Sequence, residues 1–243
     1  HRAVVNEDGG IKVEEYWDVF NSAQSGAKYS ASENAERVYA GLRDSVRMRM
    51  VSDVPFGVLL SGGIDSSTNV ALMAAEMDRP VQTFSIGYKG VGVEEFNELH
   101  HARRVAERFG TEHHEVLIGR EDLTNFLPDM VYHQDEPIAD PVCVPVHYLC
   151  KLAKENGTSV VQVGEGSDEL FGGYSHWLAA LRLREGAWPA FGSLPGWMRR
   201  LVLAASTPLL DNLRLEYLRR GVAGEELFWG GAIAFGEGSK SKL

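Results

Sequence analysis

The chain has 243 residues, 44% of them hydrophobic, with 34 acidic against 24 basic side chains and a formal net charge of −10. That length supports one large domain, or one domain with an appendage, around a substantial core. The acidity excludes a dominant basic nucleic-acid surface and leaves room only for local basic patches.

Residues 1–31 read as a lead-in. "NEDGG" marks a turn, "IKVEEYWDVF" is strand-like and then amphipathic, and "NSAQSGAKYS" has the composition of a linker. From Ser32, "SENAERVYAGLRDSVRMRMV" reads as a helix capped by Ser32, with acids early and arginines late as the helix dipole favours. "FGVLL" is a buried strand and "SSTNVALMAAEM" a helix. "VQTFSIGY" is the next strand, and "EEFNELHHARRVAERFG" is a helix closed by Gly110. "HHEVLI" is a third strand and "REDLTNFLPDMVYH" a helix. Residues 145–156 are helical again, and "SVVQV" is a fourth strand leading into "GEGSDELFGGY". Beyond about Tyr174 only helical patterns follow, broken by "PAFGSLPG" and "STP".

Strands alternating with helices over 56–163 predict an α/β fold: a parallel sheet with helices on both faces, followed by a helical C-terminal region. The expected organisation is a lead-in over 1–31, the α/β domain over 32–174 and a helical extension over 175–243. No apolar run approaches the ~20 residues that a membrane helix needs. The opening residues carry no signal-peptide pattern.

Several features have plain structural explanations. Cys143 and Cys150 lie seven apart on one helix face, too far for a disulfide within the helix, and are expected to be buried thiols. The adjacent pairs His100/His101 and His113/His114 do not share a face, which argues against zinc. Basic clusters at 182–184 and 199–200 are expected to be solvated helix faces. Trp177, Trp188, Trp197 and Trp229 are expected as core or inter-helix anchors.

The chemistry is concentrated after two of the strands. Residues 61–67, "SGGIDSS", leave strand 56–60 and enter a helix N-terminus, where free N–H groups and the positive end of the dipole form a phosphate seat. Gly62 and Gly63 permit close backbone approach, and Ser61, Ser66 and Ser67 add hydroxyls. Asp65 would repel phosphate on its own. With a divalent cation it becomes a ligand that bridges protein and phosphate oxygens. The burst therefore reads as a site for a polyphosphate plus Mg²⁺. It is neither a Walker loop nor a dinucleotide fingerprint, because both glycine spacings are missing. The second segment, "VGEGSDELFGGY" at 163–174, again follows a strand and packs Glu165, Asp168 and Glu169 among glycines. Clustered carboxylates at a strand end suit metal binding and proton transfer.

"SGGIDSS" resembles the S-G-G-x-D-S loop of the ATP pyrophosphatases (the PP-loop, adenine nucleotide alpha-hydrolase-like fold). "VGEGSDELFGGY" closely resembles the G-E-G-S-D-E-x-F-G-G-Y signature of the asparagine synthetase family, glutamine-hydrolysing type. The resemblance runs from "YWDVF" through "SDVPFGVLLSGGIDSS", "TFSIGY" and "ARRVAERFGTEHHEV", and covers most of residues 10–177. It implies that Ser61, Gly62, Gly63, Asp65, Ser66 and Ser67 hold the ATP phosphates and later pyrophosphate. Asp65 and Asp168 are the implied magnesium ligands. Leu59, Ile86, Val163 and Gly164 are implied to line the adenine and ribose pocket. Glu165 is the implied base that assists amide formation. The implied reaction activates a carboxylate, aspartate by default, as its adenylate, and ammonia from a glutaminase domain then displaces AMP. The implied setting is cytoplasmic, and a homodimer is compatible with it.

The chain also departs from the family pattern. It has no amino-terminal nucleophilic cysteine, so the glutaminase part is expected outside it. The family's later lysine has no match, since Lys240 and Lys242 stand in the wrong context. "HQDEPIADPVCVP" at 133–145 is an acidic, proline-rich version of the substrate-side region. Two alternatives stay open: a related amidotransferase or β-lactam-type synthetase with another acceptor, and a nucleotide-binding module without catalysis.

Overall fold

The structure is a computed structural model that describes residues 1–18, 29–90, 92, 97–136, 138, 140 and 142–228. Trp229, Lys240, Lys242, most of the expected linker and parts of 133–145 lie outside the described residues. The chain forms two compact units, His1–Met48 and Arg49–Leu243.

In the first unit, "NEDGG" turns a hairpin. Strands β1 (Arg2–Val5) and β2 (Ile11–Glu14) pair antiparallel, with Arg2 opposite Glu14. Gly9, at φ 81°, supplies the left-handed turn residue, and the Arg2 guanidinium forks onto Glu14 Oε2 at 2.7 and 2.9 Å. Helix α1 (Ala31–Arg49) follows. Its cap is Ser30 and not the expected Ser32. The Glu33 amide donates to Ser30 Oγ at 3.2 Å, and the Ser30 amide donates to Glu33 Oε2 at 2.7 Å. This reciprocal pair needs a glutamate three residues after the serine, a spacing that Ser30 has and Ser32 lacks. The Ser30 amide and hydroxyl together hold the Glu33 carboxyl below its ordinary pKa.

The second unit contains a four-stranded parallel sheet in the order β5-β4-β3-β6, built from β3 (Phe56–Leu59), β4 (Gln82–Tyr88), β5 (Glu112–Ile118) and β6 (Val160–Gln162). The linking helices are α2 (Ile64–Glu76), α3 (Leu99–Phe109), α4 (Arg120–Gln134) and α5 (Cys143–Glu155). Strand alternation shows which face each helix covers. Gly87 points at α3: a Cβ there would lie 2.5 Å from Leu99 Cδ1. Its neighbours Ile86 and Tyr88 point the other way, into the cluster of Ile118, Phe126 and Val144 contributed by β5, α4 and α5. Helices therefore cover both faces, as the sequence predicts. Val58, Val70, Met73 and Phe84 are fully buried at the centre, each side chain worth about 1.5–3 kcal/mol of apolar burial.

The two adjacent histidines of β5 separate as period 2 requires. His113 bonds Thr83 Oγ1 at 2.9 Å on one face, while His114 stacks on Phe84 on the other. On α3, by contrast, the rings of His100 and His101 approach to 3.8 Å.

From Ser167 to Ala223 the regular structure is all helical: α6 (Ser167–Phe171) leads into α7 (Ser175–Glu185), α8 (Trp188–Ser193), α9 (Gly196–Ser206) and α10 (Asn212–Ala223). Trp188 is the anchor expected of it, because its ring and that of Phe191 occupy the space a Cβ on Gly221 would need. Trp197 is not, being 63% exposed. Arg199 is not solvated as expected: it donates to the Gly221 carbonyl at 2.6 Å and ties α9 to α10. The thiols also differ from expectation. Cys150 is exposed and Cys143 only half-buried, set 3.2 Å from Met130 Sδ. Cys150 belongs to the solvent side of α5, whose fully buried members are Val144 and Ala153.

Candidate active site at the tips of β3 and β6

Strand order brings the two chemistry-bearing segments together. From β3 the chain steps to β4 and then β5 on one side, and it returns to pair β6 on the other side of β3. Ligands of open α/β sheets bind at such a reversal, beyond the carboxyl ends of the strands. The segments leaving those two ends are 60–66 and 163–166.

The first segment is held in shape by its own serines. Leu60 N donates to Phe84 O at 2.8 Å and extends the strand by one residue. The Ser61 amide then donates to Ser66 Oγ at 3.2 Å, the two hydroxyls meet at 3.0 Å, and the Gly63 amide donates to Ser61 Oγ at 3.2 Å. Ser66 is buried, with its hydroxyl engaged inside the loop. Ser67 differs, because its Oγ is buried and has no hydrogen-bond partner. Gly62 is required twice: its φ is 86°, and a Cβ would stand 2.6 Å from the Ala102 amide nitrogen. Gly63 is the N-cap of α2, in an extended conformation. The amides of Ile64, Asp65 and Ser66 thus open the helix with no intrahelical acceptor, and the positive end of its dipole faces the loop.

The second segment lies directly against the first. A Cβ on Gly164 would sit 2.7 Å from the Ser66 nitrogen and 2.9 Å from the Asp65 carbonyl carbon. Asn69 Nδ2 reaches from α2 to the Val163 carbonyl at 3.4 Å. Gly166, at φ 91°, then turns the chain into α6. Asp168 lies in the first turn of that helix, its Oδ1 packed so closely on Gly173 that a Cβ there would overlap it. The Tyr174 hydroxyl donates to Glu169 Oε1 at 2.9 Å. That bond, with burial and the charges of Glu169, Asp168 and Glu165, raises the phenol pKa above its ordinary value. Of the three acids, Glu169 is the one bonded to Tyr174.

The side-chain carboxylates of Asp65 and Asp168 have no hydrogen bond or ion pair among the described residues. No group of three or more potential metal-ligating side chains occurs among the described residues. Two carboxylates are nonetheless a fitting donor set for Mg²⁺, which keeps waters and substrate phosphate oxygens in its shell. The unpartnered Ser67 hydroxyl and the open amides of α2 are donors of the kind a polyphosphate takes, and Asp65 and Asp168 are oxygen ligands of the kind Mg²⁺ takes.

Leu59 and Ile86 are half-buried and share the face that carries α4 and α5, as the pairing of Leu59 with Phe84 requires. Ile86 is not the last residue of its strand, which continues to Tyr88. Val163, 47% exposed, directly follows the end of β6. Sequence reasoning missed three supporting residues: Asn69, Gly173 and Tyr174. Gly173 and Tyr174 were visible in the second motif, but nothing in the sequence tied Asn69 to Val163. It also missed a crevice of about 660 Å³ at the carboxyl ends of β4 and β5, lined by Tyr88, Lys89, Ile118, Arg120, Leu123 and Val144 among others. Lys89 Nζ lies 3.3 Å from Asp122 there, and the Gly119 amide followed by Lys89 holds that carboxyl below its ordinary pKa.

Residues 37–234 match the Asparagine synthase family. The chain is 34% identical to asparagine synthetase [glutamine-hydrolyzing] 1 of Bacillus subtilis over 242 residues, which is 98% of this chain and 36% of that protein. It is 36% identical to a putative asparagine synthetase [glutamine-hydrolyzing] of Mycobacterium bovis over 202 residues, 82% of this chain and 29% of that protein. The chain thus spans about a third of the length of these curated relatives. Among solved structures, the NH3-dependent NAD synthetase of Campylobacter jejuni aligns over 81% of this chain and 95% of that one, with 14% identity and a TM-score of 0.37, too distant to bear on residues or activity.

Proposed function

The chain belongs to the asparagine synthase family, and we propose that it is the synthetase part of a glutamine-dependent amidotransferase. It would use Mg-ATP to convert a carboxylate, aspartate by default, into its adenylate with release of pyrophosphate, and ammonia would then turn the adenylate into an amide with release of AMP. The observation that carries this reading is the backbone contact of Gly164 with Asp65 and Ser66, which makes one crevice of two loops.

The roles follow from the chemistry of each group. The open amides of α2, with Gly62 and Gly63, receive phosphate oxygens, and the spare Ser67 hydroxyl adds a donor. Ser61 and Ser66 keep the loop in that shape. Asp65 and Asp168 would hold Mg²⁺, which supplies charge neutralisation between two anionic reactants. Leu59, Ile86, Val163 and Gly164 offer apolar and backbone surface to the adenosine. Glu165, exposed within the second loop, takes the proton from the attacking nitrogen.

Val142, Val144 and Pro145 of the substrate-side region line the 660 Å³ crevice, which supports that crevice as the acceptor's place. Its apolar lining and size exceed what a four-carbon acid fills, so acceptors with an apolar body belong among those tested. Ammonia would come from a glutaminase domain, in a cytoplasmic enzyme.

The test is release of AMP and pyrophosphate with a panel of carboxylates plus ammonium. We expect carboxylate-dependent pyrophosphate from the wild type. Glu165→Gln should retain it while losing the amide. ATP binding without pyrophosphate for any carboxylate would instead assign a non-catalytic nucleotide-binding module.

A further inference from the structure

Helix α3 carries three arginines, and they are treated differently. Arg103 is neutralised: its Nε and Nη2 donate to the two Glu115 carboxylate oxygens at 2.8 and 2.6 Å. Arg104 and Arg108 have no carboxylate partner among the described residues. They stand four residues apart on one helix face, a like-charge spacing that weakens an isolated helix. The chain's formal net charge is −10, so carboxylates to compensate them are abundant. None of the described carboxylates lines the groove that these two arginines border.

That face forms a groove. A cavity of about 350 Å³ is lined, among the described residues, by Gly62, His101, Arg104, Val105, Arg108 and Phe109, none of them acidic. The polar side chains among these are two guanidinium groups and an imidazole. Its apolar lining is Val105 and the Phe109 ring, which is 38% exposed and has no ring partner among the described residues. The groove reaches Gly62, the glycine that α3 already crowds at His101 and Ala102. It thus touches the 61–67 loop at Gly62, while Gly164 touches it at Asp65 and Ser66.

We propose that this groove is a second binding site, for a nucleoside phosphate. The phosphate oxygens lie on Arg104, Arg108 and His101, where planar guanidinium forks match phosphate geometry. The flat base lies on Phe109 and Val105. The volume is within the range of small-ligand sites, and a bare inorganic phosphate would leave the apolar wall uncovered. The inference goes beyond the adenylation reading and does not depend on it.

Equilibrium dialysis with radiolabelled ADP tests it by counting sites. Arg104→Gln/Arg108→Gln binds one ADP fewer per chain than the wild type, with an unchanged circular dichroism spectrum. The wild-type count is two if the 61–67 loop also binds ADP and one if it does not, so failure of the adenylation reading leaves the difference intact. Arg104→Lys/Arg108→Lys, which keeps both charges, retains the additional ADP. Phe109→Ala weakens ADP at this site about tenfold and leaves inorganic pyrophosphate binding there unchanged. Equal ADP counts in the wild type and the glutamine double variant overturn the site. Unchanged ADP affinity in Phe109→Ala overturns the nucleoside phosphate as its ligand.

Discussion

Gly164→Ala is the sharpest probe of the two-loop crevice. The new methyl group would lie 2.7 Å from the Ser66 nitrogen, 2.9 Å from the Asp65 carbonyl carbon and 3.1 Å from the Ser66 Cα. All three are backbone atoms, so no side chain can rotate away. Ordinary contact begins at 3.4 Å, and the loops must part by roughly 0.7 Å, a displacement of the size that costs up to ~100-fold when reacting groups are held on its two sides. Overpacking of this kind also costs about 1–3 kcal/mol of stability. The assay is carboxylate-dependent pyrophosphate release at saturating ATP, with thermal unfolding measured on the same sample. We expect turnover to fall by roughly one to two orders of magnitude while the protein stays folded. Wild-type turnover in Gly164→Ala would refute the argument that loops 61–67 and 163–166 act as one site.

The same reasoning separates crowded glycines from open ones. Gly87→Ala places a methyl 2.5 Å from Leu99 Cδ1 and 2.8 Å from Leu117 Cδ2; denaturant titration should show a loss of about 1–3 kcal/mol. Gly41→Ala, inside α1 with nothing within 4 Å of the new methyl, should stabilise that helix by up to ~1 kcal/mol; a loss of helicity on thermal melting would contradict it. His113 gives a pH prediction. Burial first, against the opposing pull of Glu115, holds its pKa below the ordinary 6.5. The unfolded state then binds the proton more readily than the folded state, so His113 contributes stability above pH 6.5 that is lost as pH falls through its lower folded pKa. Glu115, held below 4.5 chiefly by Arg103, adds a second loss at more acidic pH. Melting temperature should decline on acidification below 6.5, and His113→Gln should flatten the upper part of that decline. An unchanged slope in the variant would reject the assignment.

The sheet was legible because each strand is a short apolar run ended by small or polar residues, and each helix begins where those residues stop. The phosphate seat was legible for the same reason: Ser61, Gly62, Gly63 and Asp65 are residue types that a buried strand and an apolar helix would not otherwise place between them. What sequence could not supply was neighbourhood. Asn69 and Val163 are 94 residues apart, and only the return of β6 to the side of β3 makes them partners. Arg199 reads as one more exposed base until α10 offers it the Gly221 carbonyl. The Ser30 cap was missed where a local rule was available, since the glutamate three residues on singles it out from Ser32.

That division bears on how the site itself should be perturbed. Residues chosen by composition, such as Ser61 and Ser66, turn out to stabilise the loop from within through hydroxyl and amide bonds between 3.0 and 3.3 Å. Ser67 is the hydroxyl left without a partner in its interior. Replacing Ser66 by alanine removes the hydroxyl that the Ser61 amide, the Ser61 hydroxyl and the Gly63 carbonyl all engage, at a cost of about 0.5–1.5 kcal/mol per bond. Ser67→Ala removes a hydroxyl that bonds to nothing in the protein, so its stability should stay near the wild type while its ATP affinity falls. Thermal unfolding alongside nucleotide titration of the two variants distinguishes a serine that shapes the loop from one that faces the ligand. The reverse pattern, a destabilised Ser67→Ala with unchanged ATP affinity, would mean that the spare hydroxyl serves packing and not phosphate.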